Sequence, residues 1–177
     1  MTHGLIERDC VGGVKLEKMQ QSIGGRQVED IQKDGLKALR NLTGVDQTAI
    51  ESFPERIAAS GAPVLGAKVD LTFILFYGQL TVSPTTDPYR GYRYEVDVWG
   101  AGASVGSSIG FMYTAYNSWD AFFENVTAFH VQSVSGVAGF CQVNWFNKDG
   151  VPVGQFNGGT LGAGILEAGG AGRWKKG

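Results

Sequence analysis

Tyr92-Arg93-Tyr94-Glu95-Val96-Asp97-Val98-Trp99 is the stretch whose reading decides the fold. Tyr92, Tyr94, Val96 and Val98 fall on one face of an extended segment and Arg93, Glu95, Asp97 and Trp99 on the other. A period of two is the signature of a half-buried strand. The stretch runs into Gly100-Ala101-Gly102, and glycine supplies 27 of the 177 residues, most of them after Leu65. Glycine inside strands marks bulges, sharp bends and close backbone approach, so the pattern predicts a strongly curved, closed antiparallel sheet.

Upstream of this segment, Val69, Leu71, Phe73, Leu75 and Tyr77 share one face of a long strand. Ile74 and Phe76 make its middle apolar on both faces, which predicts a bend covered on both sides with Gly78 as the corner. Downstream, a third strand is expected at Ile109, Phe111 and Tyr113. Trp119, Phe122 and Phe123 then lie at i, i+3 and i+4 behind the polar Asn117 and Asp120, predicting one short amphipathic helix. Strands follow at Val126–Val134, Val137–Phe146, Val151–Phe156, Leu161–Glu167 and Gly170–Lys175, with Asn147-Lys148-Asp149-Gly150 as a hairpin turn. Eight strands with one interrupting helix is the count of a closed β-barrel of the size that side chains can fill.

Before Pro63 the period is helical. Val28, Ile31, Leu36, Leu39 and Leu42 fall near helical spacing over Arg26–Leu42, and Ser52-Phe53-Pro54-Glu55 reads as a capping box opening a short helix that Gly61 ends. Residues 1–25 are polar and broken by glycine pairs, predicting a flexible tail. The expected organisation is thus a tail over 1–25, an α-helical extension over 26–62 and a β domain over 63–177.

The chain carries 15 basic and 17 acidic residues, a net charge of −2, and no basic run before Arg173-Trp174-Lys175-Lys176, which argues against nucleic acid as a partner. Met1–Lys18 has no apolar core of the kind a secretory signal needs, so the expectation is a cytoplasmic chain, one exported without such a signal, or a processed form. The longest apolar run, Val69–Tyr77, is too short for a membrane-spanning helix. Cys10 and Cys141 lie in unlike contexts and read as free thiols, with no metal site and no cofactor implied.

Candidate chemistry is sparse. His130 alternates with Phe129 and Val131 on a strand, the pattern of a structural or surface histidine rather than of a catalytic one. Glu95 and Asp97 share a strand face, and Cys141 is in register with Val143 and Trp145 as a small core residue. Gly100-Ala101-Gly102 lacks the ending of a phosphate loop. Arg173, Trp174 and Lys175 are candidates for contact with an anionic membrane surface. Tyr92, Tyr94, Glu95 and His130 are candidates to line a small-molecule site in a barrel mouth.

In order and spacing, four motifs resemble the C-terminal half of the virulence-associated protein (Vap) family: Gly110-Phe111-Met112-Tyr113-Thr114, Trp119 through Phe129, Asn144 through Gly150, and Gly169 through Lys175. Gly66-Ala67-Lys68-Val69 through Val82 resembles its first strand, so the likeness covers about residues 64–174. The resemblance implies an eight-stranded antiparallel Greek-key barrel, a short helix closing one end, a filled interior and no known enzymatic activity. It also implies a setting in host phagocytes and effects on endolysosomal membranes. The function expected is therefore a non-enzymatic β-barrel acting through surface contact with a membrane or a protein partner. The alternatives are a small-molecule-binding barrel of isomerase or cyclase type and a module that self-associates through the helix Arg26–Leu42.

Overall fold

The computed structural model describes residues 22–23, 26–27, 46–136 and 139–177. Within them, β1 (Ser22–Ile23) pairs antiparallel with β2 (Arg26–Gln27). Most of the expected helix over 26–42 lies outside the described residues, as do Cys10 and the tail before Ser22. Two short helices follow, α1 (Gln47–Glu51) and α2 (Phe53–Ser60). Asp46 caps α1 by accepting the Ala49 N–H at 3.0 Å, and Gly61 ends α2 in the left-handed region at φ 68°. Ser52 makes no capping box. Its backbone is helical rather than extended, so its hydroxyl instead donates back to the Ala49 carbonyl at 3.3 Å.

The rest is one antiparallel sheet built from β3 (Leu65–Pro84), β4 (Tyr92–Thr114), β5 (Ala128–Val134), β6 (Phe140–Phe146), β7 (Pro152–Ala171) and β8 (Trp174–Lys176). The order is β3-β4-β7-β5-β6, with β8 on β4 and β6 pairing β7 as well as β5. Helix α3 (Trp119–Asn125) sits between β4 and β5, capped by Ser118, whose Oγ accepts the Ala121 N–H at 3.2 Å.

The mainly antiparallel β expectation holds, but the closed eight-stranded barrel does not. The sheet has six strands, and no ladder among the described residues joins the two halves of β3. A single backbone bond, Thr85 N–H to Gly66 C=O at 2.8 Å, spans that seam. The miscount has a physical cause: the glycine stretches at 100–102 and 158–164, read as strand ends, lie inside β4 and β7 and carry the ladder through a bend.

Three long strands therefore fold double along one line. Leu75 of β3 pairs with Gly102 of β4, which pairs with Leu166 of β7, two positions beyond Gly164. Leu75, Gly102 and Gly164 have φ of 64°, 128° and 111°, where L side chains are strained. A Cβ on Gly164 would run into the Ala103 carbonyl oxygen, so this position accepts only glycine without displacing β4. Folding at this crease brings both ends of β3 together at the opposite end of the domain, which we call the mouth.

The inner face holds the core. Val69, Leu71 and Phe73 from β3 pack with Tyr94, Val98, Val131, Val143, Trp145 and Phe156, as the period of two predicts. At the mouth α3 inserts Trp119, Phe122 and Phe123; Phe122 meets Trp145 at 5.5 Å between ring centroids, and the Trp119 indole donates to the Pro63 carbonyl at 2.7 Å. Where β6 pairs with the first half of β7 the outer face is also buried and carries a closed ring of carboxamides. Gln142 donates to Asn157, Asn157 to Gln155, Gln155 to Asn144 and Asn144 to Gln142, at 2.8–3.4 Å. Each buried amide thereby finds both a donor and an acceptor.

Candidate functional site

Two regions depart from the pattern of polar outside and apolar inside. The first is the crease. Paired residues of neighbouring antiparallel strands share a sheet face, so the ladder places Ile74, Ala103, Ile165 and Val134 in one row on the outer face. The next rows are Thr72, Val105 and Ala163, then Asp70, Ser107 and Leu161. Leu75 and Phe76 stand at the tip, and just past it Tyr77 lies 5.0 Å from Trp99, ring centroid to ring centroid. Leu75, Phe76, Trp99 and Ile165 are 68, 71, 62 and 67 % exposed. Single exposed apolar residues are ordinary, whereas a row of them on neighbouring strands makes the crease a candidate interaction surface.

The sequence reading places the apolar bend around Ile74, Leu75, Phe76 and Tyr77 under cover on both sides. The structure corrects that, because the left-handed turn at Leu75 breaks the alternation, so Leu75 and Tyr77 leave the face that Val69, Leu71 and Phe73 occupy. Gly78, expected as the corner, instead packs against the backbone of Thr72 and Phe73 just past the turn. Away from the tip the outer face returns to charge: Asp70 accepts from Lys68 at 2.9 Å and from the Ser107 hydroxyl. Its carboxyl sits below the ordinary range, burial's opposing effect being outweighed by those two hydrogen bonds and by the charges of Lys68 and Arg93.

The second region is a cleft of about 420 Å³ at the mouth, lined by Ser83, Arg90, Gly91, Tyr92, Arg93, Glu95, Lys175, Lys176 and Gly177. Its wall is the short β4–β8 ladder, which pairs Arg93 with Lys175 and Tyr92 with Lys176. The Lys176 ammonium lies 5.4 Å from the Tyr92 ring centre.

The seven residues singled out from sequence do not form one site. Tyr92, Glu95 and Lys175 border the cleft, and Arg173 is exposed beside it. Trp174 is only 8 % exposed and packs inward on Tyr94, Phe123 and Trp145 at 5.3, 4.8 and 5.6 Å. Tyr94 is buried in the same cluster, and burial holds its phenol above its ordinary value. His130 faces the other side of β5 from Phe129, the residue whose ring meets Tyr94, and its Nε2 lies 3.3 Å from Glu167 Oε1. Burial pulls the imidazole below its ordinary value against the opposing pull of Glu167. Cys141 is a buried core thiol pushed up to about 12 by that burial, which leaves no reactive thiolate at neutral pH. Sequence reading passed over Arg90 and Arg93 as cleft residues and Ile165 and Leu161 as crease residues. The outward position of Arg93 in the alternation was the available signal for one of them.

Among the described residues, no three His, Cys, Asp or Glu side chains are placed to hold a metal ion, and no helix is long and apolar enough to cross a membrane.

The family model described as Rhodococcus equi virulence-associated protein matches residues 24–175. Among solved structures, the virulence-associated protein VapD of Rhodococcus equi aligns at 19 % identity with a TM-score of 0.57, covering 64 % of this chain and 97 % of that one. VapB of the same organism aligns at 16 % identity with a TM-score of 0.53 and the same coverage. At these identities the likeness speaks for the fold. No curated protein sequence matches the chain.

Proposed function

This chain belongs to the Rhodococcus equi virulence-associated protein family, and from that premise we propose that it acts without catalysis, by pressing its apolar crease into a lipid surface. The observation that carries the reading is the projection of Leu75 and Phe76 from the tip, with Ile74 and Ile165 behind them and Tyr77 and Trp99 alongside. Aliphatic and aromatic side chains at a tip, flanked by Tyr and Trp, suit the boundary between headgroups and acyl chains. Burying each large apolar side chain contributes about 2 kcal/mol, so three of them supply on the order of 6 kcal/mol, equivalent to binding in the tens of micromolar. The left-handed backbone at Leu75 marks the same tip, since non-glycine residues held in that region concentrate at functional positions. The relatives named above come from an intracellular pathogen, and contact with host membranes is the setting proposed for this chain.

The test is flotation of the full chain with neutral and with anionic vesicles. The wild type should rise with both, and a Leu75→Ser/Phe76→Ser variant with an unchanged circular dichroism spectrum should remain at the bottom. A wild type that binds neither vesicle would sink the membrane reading and turn the crease into a docking face for a protein.

A further inference from the structure

The cleft at the mouth is spatially separate from the crease and carries an inference of its own, which rests on the membrane reading above only in favouring a soluble ligand over a lipid. Four basic side chains line it, Arg90, Arg93, Lys175 and Lys176, against one acidic side chain, Glu95. The chain as a whole is acidic, so this local excess runs against its composition. The ladder sets Arg93 directly across from Lys175, and like charges opposite one another on adjacent strands repel. Among the described residues neither of the two, nor Lys176, has a carboxylate within ion-pair distance. Arg90 does, at 3.1 Å from Asp87 on the outer rim. Asp70, the acidic group whose field reaches Arg93, is already held by Lys68 and Ser107.

The wall that carries these charges is firm. Gly177 donates to the Gly91 carbonyl at 2.8 Å, which ties β8 to the turn preceding β4, and Tyr92 stacks on Phe123 of α3 at 4.1 Å. Main-chain pairing and ring packing thus hold the backbone from which the exposed cations project over a concave space.

We propose that this cleft binds a small soluble phosphate ester, seated between the Arg93 guanidinium and the Lys175 ammonium. Arg offers paired donors to phosphate oxygens and Lys a point charge, so the two together suit a dianion. Lys176, paired with Tyr92, stands on the opposite face of the β4–β8 ladder and adds its charge only at longer range. A lipid headgroup shares this chemistry, but the cleft lies six to eight residues of extended strand from the crease, roughly 20–25 Å. A bilayer that takes the crease therefore leaves the cleft facing bulk water, and this argues for a free ester.

The experiment titrates the full chain with two phosphate monoesters, glycerol 3-phosphate and phenyl phosphate, by isothermal calorimetry. A parallel arm uses phosphatidylcholine vesicles with and without phosphatidate. Both soluble probes should bind saturably and more weakly as salt rises. Arg93→Gln/Lys175→Gln should weaken them about tenfold or more, while Arg173→Gln, exposed but outside the lining, should change them less than about twofold. All these positions face solvent, so the variants should keep the wild-type near-ultraviolet circular dichroism. Absence of saturable binding by either soluble probe, an equal loss in Arg173→Gln, or cleft-dependent binding confined to phosphatidate vesicles would each overturn the proposal.

Discussion

Both ends of this domain are rich in aromatic and aliphatic side chains, yet the two ends put them to opposite uses. At the mouth, Trp119, Phe122, Phe123, Trp145 and Trp174 turn inward and seal the core around α3. At the crease, Ile74, Leu75, Phe76, Trp99 and Ile165 stand in solvent. The difference is one of backbone geometry. A helix laid across the mouth gives its aromatics something to pack against, whereas a strand folded double throws its central residues onto the convex side. Hydrophobicity alone does not tell a core from an exposed apolar patch; the curvature of the backbone does.

The widest separation between the two ends should appear in stability. Trp145→Ala removes a fully buried ring from the aromatic cluster and should cost about 3–5 kcal/mol in urea unfolding. Phe76→Ala, an equally drastic truncation at the crease, should stay within about 0.5 kcal/mol. Comparable losses at both positions would mean that the crease is covered in solution and that the contrast is false. A smaller effect sharpens the comparison at one residue. Leu75→Gly relieves the left-handed strain at the tip, offset in part by the entropy of a freer unfolded chain, and should stabilise the fold by up to about 1 kcal/mol while weakening vesicle binding. Stability and contact would then move in opposite directions, which no core position should reproduce.

The smallest expected effect is a pH dependence away from both ends. Burial holds His130 below its ordinary value, so the unfolded chain takes up a proton more readily than the folded one. Its contribution is complete above the imidazole's ordinary value, about 6.5, and is lost as pH falls through that value toward the lower folded one. Urea midpoints between pH 7.5 and 5 should therefore drop for the wild type, and less for His130→Gln. An identical slope in both would mean that Glu167 stabilises the charged imidazole enough to cancel the burial.

Strand faces were the legible part of the chain. The alternation from Tyr92 to Trp99 and from Val69 to Phe73 matches the observed burial because a period of two leaves each residue only one face to occupy. The hairpin at Asn147–Gly150 was legible too, and Asn147 Oδ1 does accept the N–H groups of Asp149 and Val151, both at 3.0 Å. Strand number was not. A glycine that ends a strand and a glycine that bends one look alike locally, and the difference at Gly102 and Gly164 depends on whether the neighbouring strand bends at the same level. The cleft was half legible, since Tyr92, Glu95 and Lys175 drew notice, but Arg93 joins Lys175 only through the pairing of β4 with β8. Trp174 misled because a tryptophan between cations in a terminal segment reads as exposed, while its neighbours across the sheet draw it inside.

Because β3, β4 and β7 double back at their midpoints, the connections at 85–91, 115–118, 147–151 and 172–173 all emerge beside the mouth, whereas the connection from β5 to β6 leaves Val134 beside the crease, where Ser135 donates to the Gly164 carbonyl at 2.8 Å. The apolar tip is made instead from the middles of unbroken strands. Surface connections are where chains most readily accept insertions and drift. Those four joints can therefore be lengthened or rewritten without touching the strand middles that form the apolar tip.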